Sequence, residues 1–299
     1  MTKRTSLKPE SLKRLRSTVH NLENWIAESA PSLDRAKHLT PERIRQFRDH
    51  RLENIGVAPR TADNDVANLC AIFKWGIKQG MVADNPADYS RNTGKIDLLR
   101  APENSSDTYS NEEYLALVKA AGDKNDVLIR DLIIFLAGTG MRFEEAAHMT
   151  CDWLSWDEHE MPFITVRADN GWSPKHAGEV KQIPMLPEVE TVLRSRGEGC
   201  EGYLFKNSVG NKIAANKTRE RLQCLFPSVG IDRSKRRLHW HSFRSYFVKR
   251  SVEAGVPLNV LMSWTGHDTI KMAMHYAGAG VRDSIREIAR LKIREDPSG

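Results

Sequence analysis

Between His241 and Tyr276 the chain spaces two imidazoles, a guanidinium and a phenol in a way that suits gripping a phosphate and attacking it. His241 and Arg244 stand three apart, so at a helix start they share one face. His267 follows Gly266 at a helix end, where its ring can project from a turn. Tyr276 comes next, flanked by Ala277-Gly278-Ala279-Gly280, a run that permits backbone movement. Earlier, Arg142 follows Gly138-Thr139-Gly140-Met141 at the start of a helical pattern, where backbone amides and a guanidinium both favour an anion. Glu145, three residues on, can hold that arginine. The stretch offers no carboxylate cluster for paired magnesium ions, so charge on a pentacoordinate phosphorus would be met by side chains. Two arginine forks can bond both non-bridging oxygens and His267 can add a donor. The Tyr276 hydroxyl is protonated near neutrality and needs a base or positioner, for which His241 is placed.

The elements that must position these groups are legible in outline. Leu12 to Ser29 has helical spacing in Leu15, Val19, Leu22, Trp25 and Ile26. Thr40-Pro41-Glu42 is a helix start, with Thr40 as cap and Pro41 in the first turn. That helix sends Ile44, Phe47 and Leu52 inward and Arg43, Arg45, Arg48 and Arg51 outward. Pro59 and Arg60 open a third helix, with Val66, Leu69, Ile72, Phe73 and Ile77 as its core face and Lys74 off it. Residues 1–90 thus read as a small all-α domain. Residues 91–108, polar and turn-rich, read as a linker, and residues 109–299 as a second domain with a C-terminal tail helix. In it, Val127 to Ala137 is the central apolar helix, and Met141 to Met149 resumes as helix after the glycines. Trp153–Trp156, Phe163–Val166 and Val180–Met185 read as three short antiparallel strands. Helices are expected over Pro187–Arg196, Ala214–Leu225, Ser242–Gly255, Leu258–Thr265, from about Ile270, and over Val281–Ile293. The fold class is mainly α with a small antiparallel β-sheet.

Composition sets wider bounds. The 299 residues carry a formal charge of +6 with a pI near 9.1, which permits nucleic-acid binding. Cysteines 70, 151, 200 and 224 lack metal-ligand spacing or a paired framework, so they read as packing residues of a reducing compartment. The N-terminus lacks the apolar core of a signal peptide and no run reaches the length of a membrane span. A cytoplasmic, nucleoid-associated protein is the expectation.

Taken in order, GTGMRFEE with Arg142 and Glu145, KHAGEVKQIP with Lys175, HSFR with His241 and Arg244, and TGH followed by Tyr276 resemble the tyrosine recombinase (phage integrase) family. The resemblance covers the second domain and extends more weakly to residues 12–90, which look like its helical core-binding domain. It implies that Arg142, Lys175, His241, Arg244, His267 and Tyr276 are catalytic, with Glu145 supporting. Lys175, just upstream of Ile183-Pro184, is the implied acid for the departing 5′-oxygen, with Lys181 its rival. His239 competes with His241, Tyr246 is a weaker rival nucleophile, and Ser245 stands where the family very often has histidine. The implied reaction is site-specific DNA cutting and rejoining through a covalent 3′-phosphotyrosine, without metal, cofactor or ATP. The implied partner is double-stranded DNA with inverted-repeat sites, bound by a homotetramer. Arg43, Arg45, Arg48, Arg51, Arg60, Lys74 and Lys181 are the expected DNA contacts. A type IB topoisomerase-like enzyme and a non-catalytic DNA-binding protein on the same fold are the alternatives.

Overall fold

The computed structural model describes residues 9–33, 35–90, 94–99, 107–156, 161–168, 172–174, 181–198 and 200–266. The chain divides into two compact units, residues 1–103 and 104–299. Among the described residues no helix is long and apolar enough to cross a membrane.

The first unit packs α1 (Pro9–Ser29), α2 (Pro41–Glu53) and α3 (Pro59–Lys78) around Leu22, Trp25, Ile44, Phe47, Val66, Leu69 and Phe73. Thr40 Oγ1 accepts from Arg43 N at 3.3 Å and Pro41 begins the helix, so α2 starts where its cap chemistry dictates. A buried carboxylate ties the three helices together: Asp65 accepts from Thr18 Oγ1 at 2.7 Å and from Arg51 Nε at 3.0 Å. The segment expected to be linker is partly structural. Ile96 is buried in this core, and Leu99 N donates to Asp63 Oδ2 at 3.0 Å.

In the second unit α4 (Asn111–Asp123) opens with a reciprocal cap. Ser110 Oγ accepts from Glu113 N at 3.2 Å, and Ser110 N donates to Glu113 Oε2 at 2.8 Å. The central element is α5 (Val127–Thr139), whose Ile129, Leu132, Ile133, Phe135 and Leu136 are fully buried. Each such side chain contributes on the order of 1.5–3 kcal/mol, which makes α5 the member the others pack on. It ends where Gly140 adopts the left-handed conformation at φ 62°, so the glycine motif terminates the helix and does not interrupt it. A Cβ at Gly140 would lie 2.4 Å from Phe247 Cδ1. After α6 (Phe143–His148) come β1 (Leu154–Ser155), β2 (Phe163–Val166) and β3 (Lys181–Pro184), an antiparallel sheet in that order. Val166 pairs with Lys181 and Phe163 with Pro184. Helices α7 (Pro187–Gly197), α8 (Ala215–Gln223), α9 (Trp240–Glu253) and α10 (Leu258–Thr265) complete the described part. The helices expected from Ile270 and over Val281–Ile293 lie outside the described residues.

One expectation about cysteine is overturned. Cys151 and Cys200 form a disulfide joining the turn after α6 to the segment after α7, while Cys70 is free and buried and Cys224 free and exposed. No spacing rule reveals a pair separated by 49 residues whose partners meet only once the fold has formed.

Candidate active site

The site begins at the end of α5. Gly140 turns the chain so that Arg142 precedes α6 with its side chain only 22% exposed. Glu145 Oε2 accepts from Arg142 N at 2.9 Å and Glu145 Oε1 from Arg142 Nη1 at 3.2 Å, so one carboxylate holds both backbone and guanidinium. The third side chain on that carboxylate is Lys181. The pleat of β3 turns Lys181 and Ile183 inward and Gln182 outward. Lys181 Nζ then donates to Glu145 Oε2 at 2.7 Å, with both groups buried. Burial alone would raise the Glu145 carboxyl; Lys181 and Arg142 outweigh it and hold it below the usual carboxylate range. For Lys181 burial comes first and lowers its pKa, Glu145 opposes this, and the Arg244 and Arg142 charges lower it further.

Arg244 enters from the first turns of α9 and is only 1% exposed. Its Nη1 donates to Gly140 O at 2.8 Å and its Nη2 to Thr265 O at 2.7 Å, which fixes the plane of the guanidinium. Arg142 Nη2 reaches Gly266 O at 3.4 Å. The two arginines are therefore fastened to neighbouring carbonyls of one turn. That turn exists because α10 ends on Thr265 and Gly266 takes φ 62°. A Cβ at Gly266 would meet Lys181 Cδ at 3.7 Å and Arg142 Nη1 at 3.9 Å, so the three meet at one place.

His241 lies in the first turn of α9, which starts at Trp240, two residues earlier than the sequence pattern suggested. Its ring centroid is 6.2 Å from that of His239. Crowding by surrounding protein, then the charges of Arg244, His239 and Arg142, push its pKa down to about 4. The residue is exposed, so the two guanidiniums are the part of this cause that endures. A neutral imidazole at physiological pH can accept a proton.

Of the expected catalytic set, Arg142, Glu145, His241 and Arg244 come together. Lys175, His267 and Tyr276 lie outside the described residues. Tyr246 is buried, stacked on Tyr114 at 5.2 Å, and donates to Asn111 Oδ1 at 2.9 Å. Lys181 spends its amine inside this cluster. In the first unit Arg60 and Lys74 are exposed and Arg43 donates to Gln46 Oε1 at 2.9 Å. Arg45 donates to Lys95 O at 2.7 Å, Arg48 to Asp97 O at 2.6 Å and Arg51 to Asp65. These three are thus engaged within their own unit. Sequence reasoning missed the carbonyls of Thr265 and Gly266, which have no side-chain signature.

Residues 108–281 match the model of the phage integrase family. The transposase from transposon Tn916 of Enterococcus faecalis is 25% identical over 261 residues, covering 81% of this chain and 64% of that protein. The chain thus spans 64%, less than two thirds, of the length of the curated relatives it matches. Among solved structures, the Tn1549 transposon integrase in complex with a circular intermediate DNA has a TM-score of 0.72 at 22% identity. That match covers 97% of this chain and 96% of the other. A lambda integrase dimer bound to a COC′ core site has a TM-score of 0.68 at 15% identity, covering 97% and 77%. The family model spans more than half the chain, and on that ground the chain belongs to the phage integrase family.

Proposed function

We propose that this protein is a site-specific DNA recombinase that cuts and rejoins strands through a 3′-phosphotyrosine on Tyr276. The observation that carries the reading is the fastening of Arg142 and Arg244 to the carbonyls of Gly266 and Thr265, since that turn leads directly into His267. Two guanidiniums held on one turn bond the non-bridging oxygens of a scissile phosphate, and His267 adds a third donor. His241, neutral at physiological pH, takes or positions the Tyr276 proton as the phenolic oxygen attacks phosphorus. The phosphorus–5′-oxygen bond breaks and Lys175 protonates the leaving oxygen. The ester conserves the bond energy, so a 5′-hydroxyl from a second duplex reverses the step without ATP or a metal.

Relatives that move transposons, and a structure bound to a circular intermediate, favour mobility of a genetic element as the setting. The substrate is double-stranded DNA with inverted-repeat sites, acted on by four subunits in the cytoplasm. Arg43, Arg60 and Lys74, with Arg45, Arg48 and Arg51 once released, supply backbone contacts.

Tyr276→Phe keeps the ring and loses only the nucleophilic oxygen. It should bind duplexes from the DNA flanking the coding sequence as the unmodified protein does, and yield no DNA-linked band on a denaturing gel. Such a band in that variant sinks the assignment. Strand exchange between two labelled sites separates recombination from topoisomerase-like relaxation of one duplex.

A further inference from the structure

The segment that leads into α9 holds two adjacent arginines with opposite surroundings. Arg236 turns inward: Nη1 pairs with Glu113 Oε1, and Nη2 donates to Glu113 Oε2 at 3.2 Å and to Thr108 O at 2.5 Å. Arg237 turns outward and is exposed, and among the described residues no carboxylate pairs with its guanidinium. Its backbone is nevertheless fixed. Arg237 N donates to Asp107 Oδ2 at 2.7 Å, and the next residue, Leu238, is buried in the core. The alternation is that of extended chain, in which residues two apart share a face. Leu238 and Trp240 are buried, whereas Arg237 and His239 are exposed. His239, at φ −158° and ψ −172°, brings this outer face to the start of α9, and its ring centroid lies 6.2 Å from that of His241. Arg237 thus stands one two-residue step, roughly 6.6 Å, behind the neighbour of His241. Such a step is comparable to the spacing of successive phosphates along one DNA strand.

We propose that Arg237 is a positioning residue that binds a phosphate of the cleaved strand next to the scissile one, with His239 between it and His241. This rests on the reading of the cluster of Arg142, His241 and Arg244 as the place where DNA is cut. A guanidinium fork suits phosphate oxygens, and a contact of this kind carries no base information but fixes the register of the strand. Because Asp107 and the buried Leu238 already hold the backbone on either side of it, placing Arg237 on a phosphate requires ordering of the side chain alone. Register matters for the reaction, since misplacement of about 1 Å can cost up to about 10²-fold in rate. An arginine that merely adds surface charge would show no preference for one phosphate over another. The size of the binding effect follows from counterion release. One phosphate contact changes the slope of log K against log salt by about 0.9, which between 1 M and 0.1 M salt amounts to roughly eightfold in affinity.

The test uses the full chain and duplexes from the DNA flanking the coding sequence, with the cleavage position mapped from the DNA-linked product of the unmodified protein. Single phosphates around that position are then replaced by neutral methylphosphonates. Binding is measured in the Tyr276→Phe background, so that it is read without cleavage. Adding Arg237→Ala should weaken binding roughly eightfold at 0.1 M salt and reduce the salt slope by about 0.9. Arg237→Lys, which keeps the charge, should restore most of that slope. With Arg237 present, a methylphosphonate adjoining the scissile position should cost about as much as Arg237→Ala does. With Arg237→Ala in place, the same methylphosphonate should cost nothing further, because protein and DNA changes remove one interaction. At saturating protein, the chain that retains Tyr276 and carries Arg237→Ala should cleave the all-phosphate duplex on the order of tenfold more slowly. Additive losses at every phosphate, coupling to a phosphate that does not adjoin the cleavage position, or unslowed cleavage at saturation overturns the proposal while the unmodified protein still forms its DNA-linked band. If the unmodified protein forms no such band on any of these duplexes, the functional reading falls and this proposal falls with it.

Discussion

Glu145 is shared by two cations, Arg142 and Lys181, and removing its charge should cost more than removing that of Lys181. Lys181→Met leaves the carboxylate with Arg142 on both of its oxygens, and it also removes a buried ammonium crowded by two guanidiniums. Breaking a buried pair costs about 3–5 kcal/mol when the remaining charge has no partner. Here one remains, so about 2–3 kcal/mol is expected. Glu145→Gln takes from Arg142 and Lys181 the carboxylate they share, and should cost about 4–5 kcal/mol. The double substitution should fall short of the sum by about 1–3 kcal/mol. Urea unfolding of the full chain followed by tryptophan fluorescence can read this, because Trp153, Trp156, Trp172, Trp240 and Trp264 all lie in the second unit. Acid adds an independent sign. The carboxyl is held low in the folded protein, so the stability it carries is complete above the ordinary glutamate value of about 4.3 and is lost as pH falls through the lower folded value. Glu145→Gln should flatten that acid slope. If Lys181→Met proves as costly as Glu145→Gln, or the two losses simply add, the network reasoning is refuted.

Other outcomes are equally checkable. In the DNA-free protein the His241 imidazole should titrate below the ordinary 6.5 by NMR, and Arg142→Ala should raise that midpoint. Its folded pKa is depressed, so between the folded value and 6.5 the unfolded chain takes up the proton first and this residue's contribution to stability falls as pH falls. Gly140→Ala must adopt φ 62° and displace Phe247, costing about 2–4 kcal/mol in unfolding free energy; a neutral result would show that the turn relaxes. Arg45→Ala with Arg48→Ala should speed amide exchange over residues 95–99, and unchanged exchange would mean that Ile96 alone holds the segment.

How far the sequence could be read depended on how local the deciding physics was. Thr40-Pro41 and Gly266 mark helix ends through groups adjacent in the chain, and α10 spans Leu258–Thr265 as the pattern says. The strand alternation already turned Lys181 to one fixed side, and the structure supplies what lies there, the Glu145 carboxylate 36 residues away. The arginines of α2 look outward on a helical wheel, yet a long guanidinium stem can fold back to a carbonyl some 50 residues on. The Cys151–Cys200 pair shares this character, because it is set by where distant elements pack.

The same distance rule explains the electrostatics of the site. Among the described residues, Arg142, Arg244 and Lys181 set three positive charges beside the carboxylate of Glu145, and the neutral His241 adds none. A phosphodiester carries one negative charge, and the pentacoordinate state of the proposed reaction carries close to two. An excess of positive charge of this kind matches the transition state better than the ground state, which is the condition for raising rate and not only affinity. The carbonyls of Gly140 and Thr265 that accept from Arg244 are neutral oxygens, which orient the fork without cancelling its charge. A carboxylate in either place would position the arginine as well and reduce the field on which the chemistry depends.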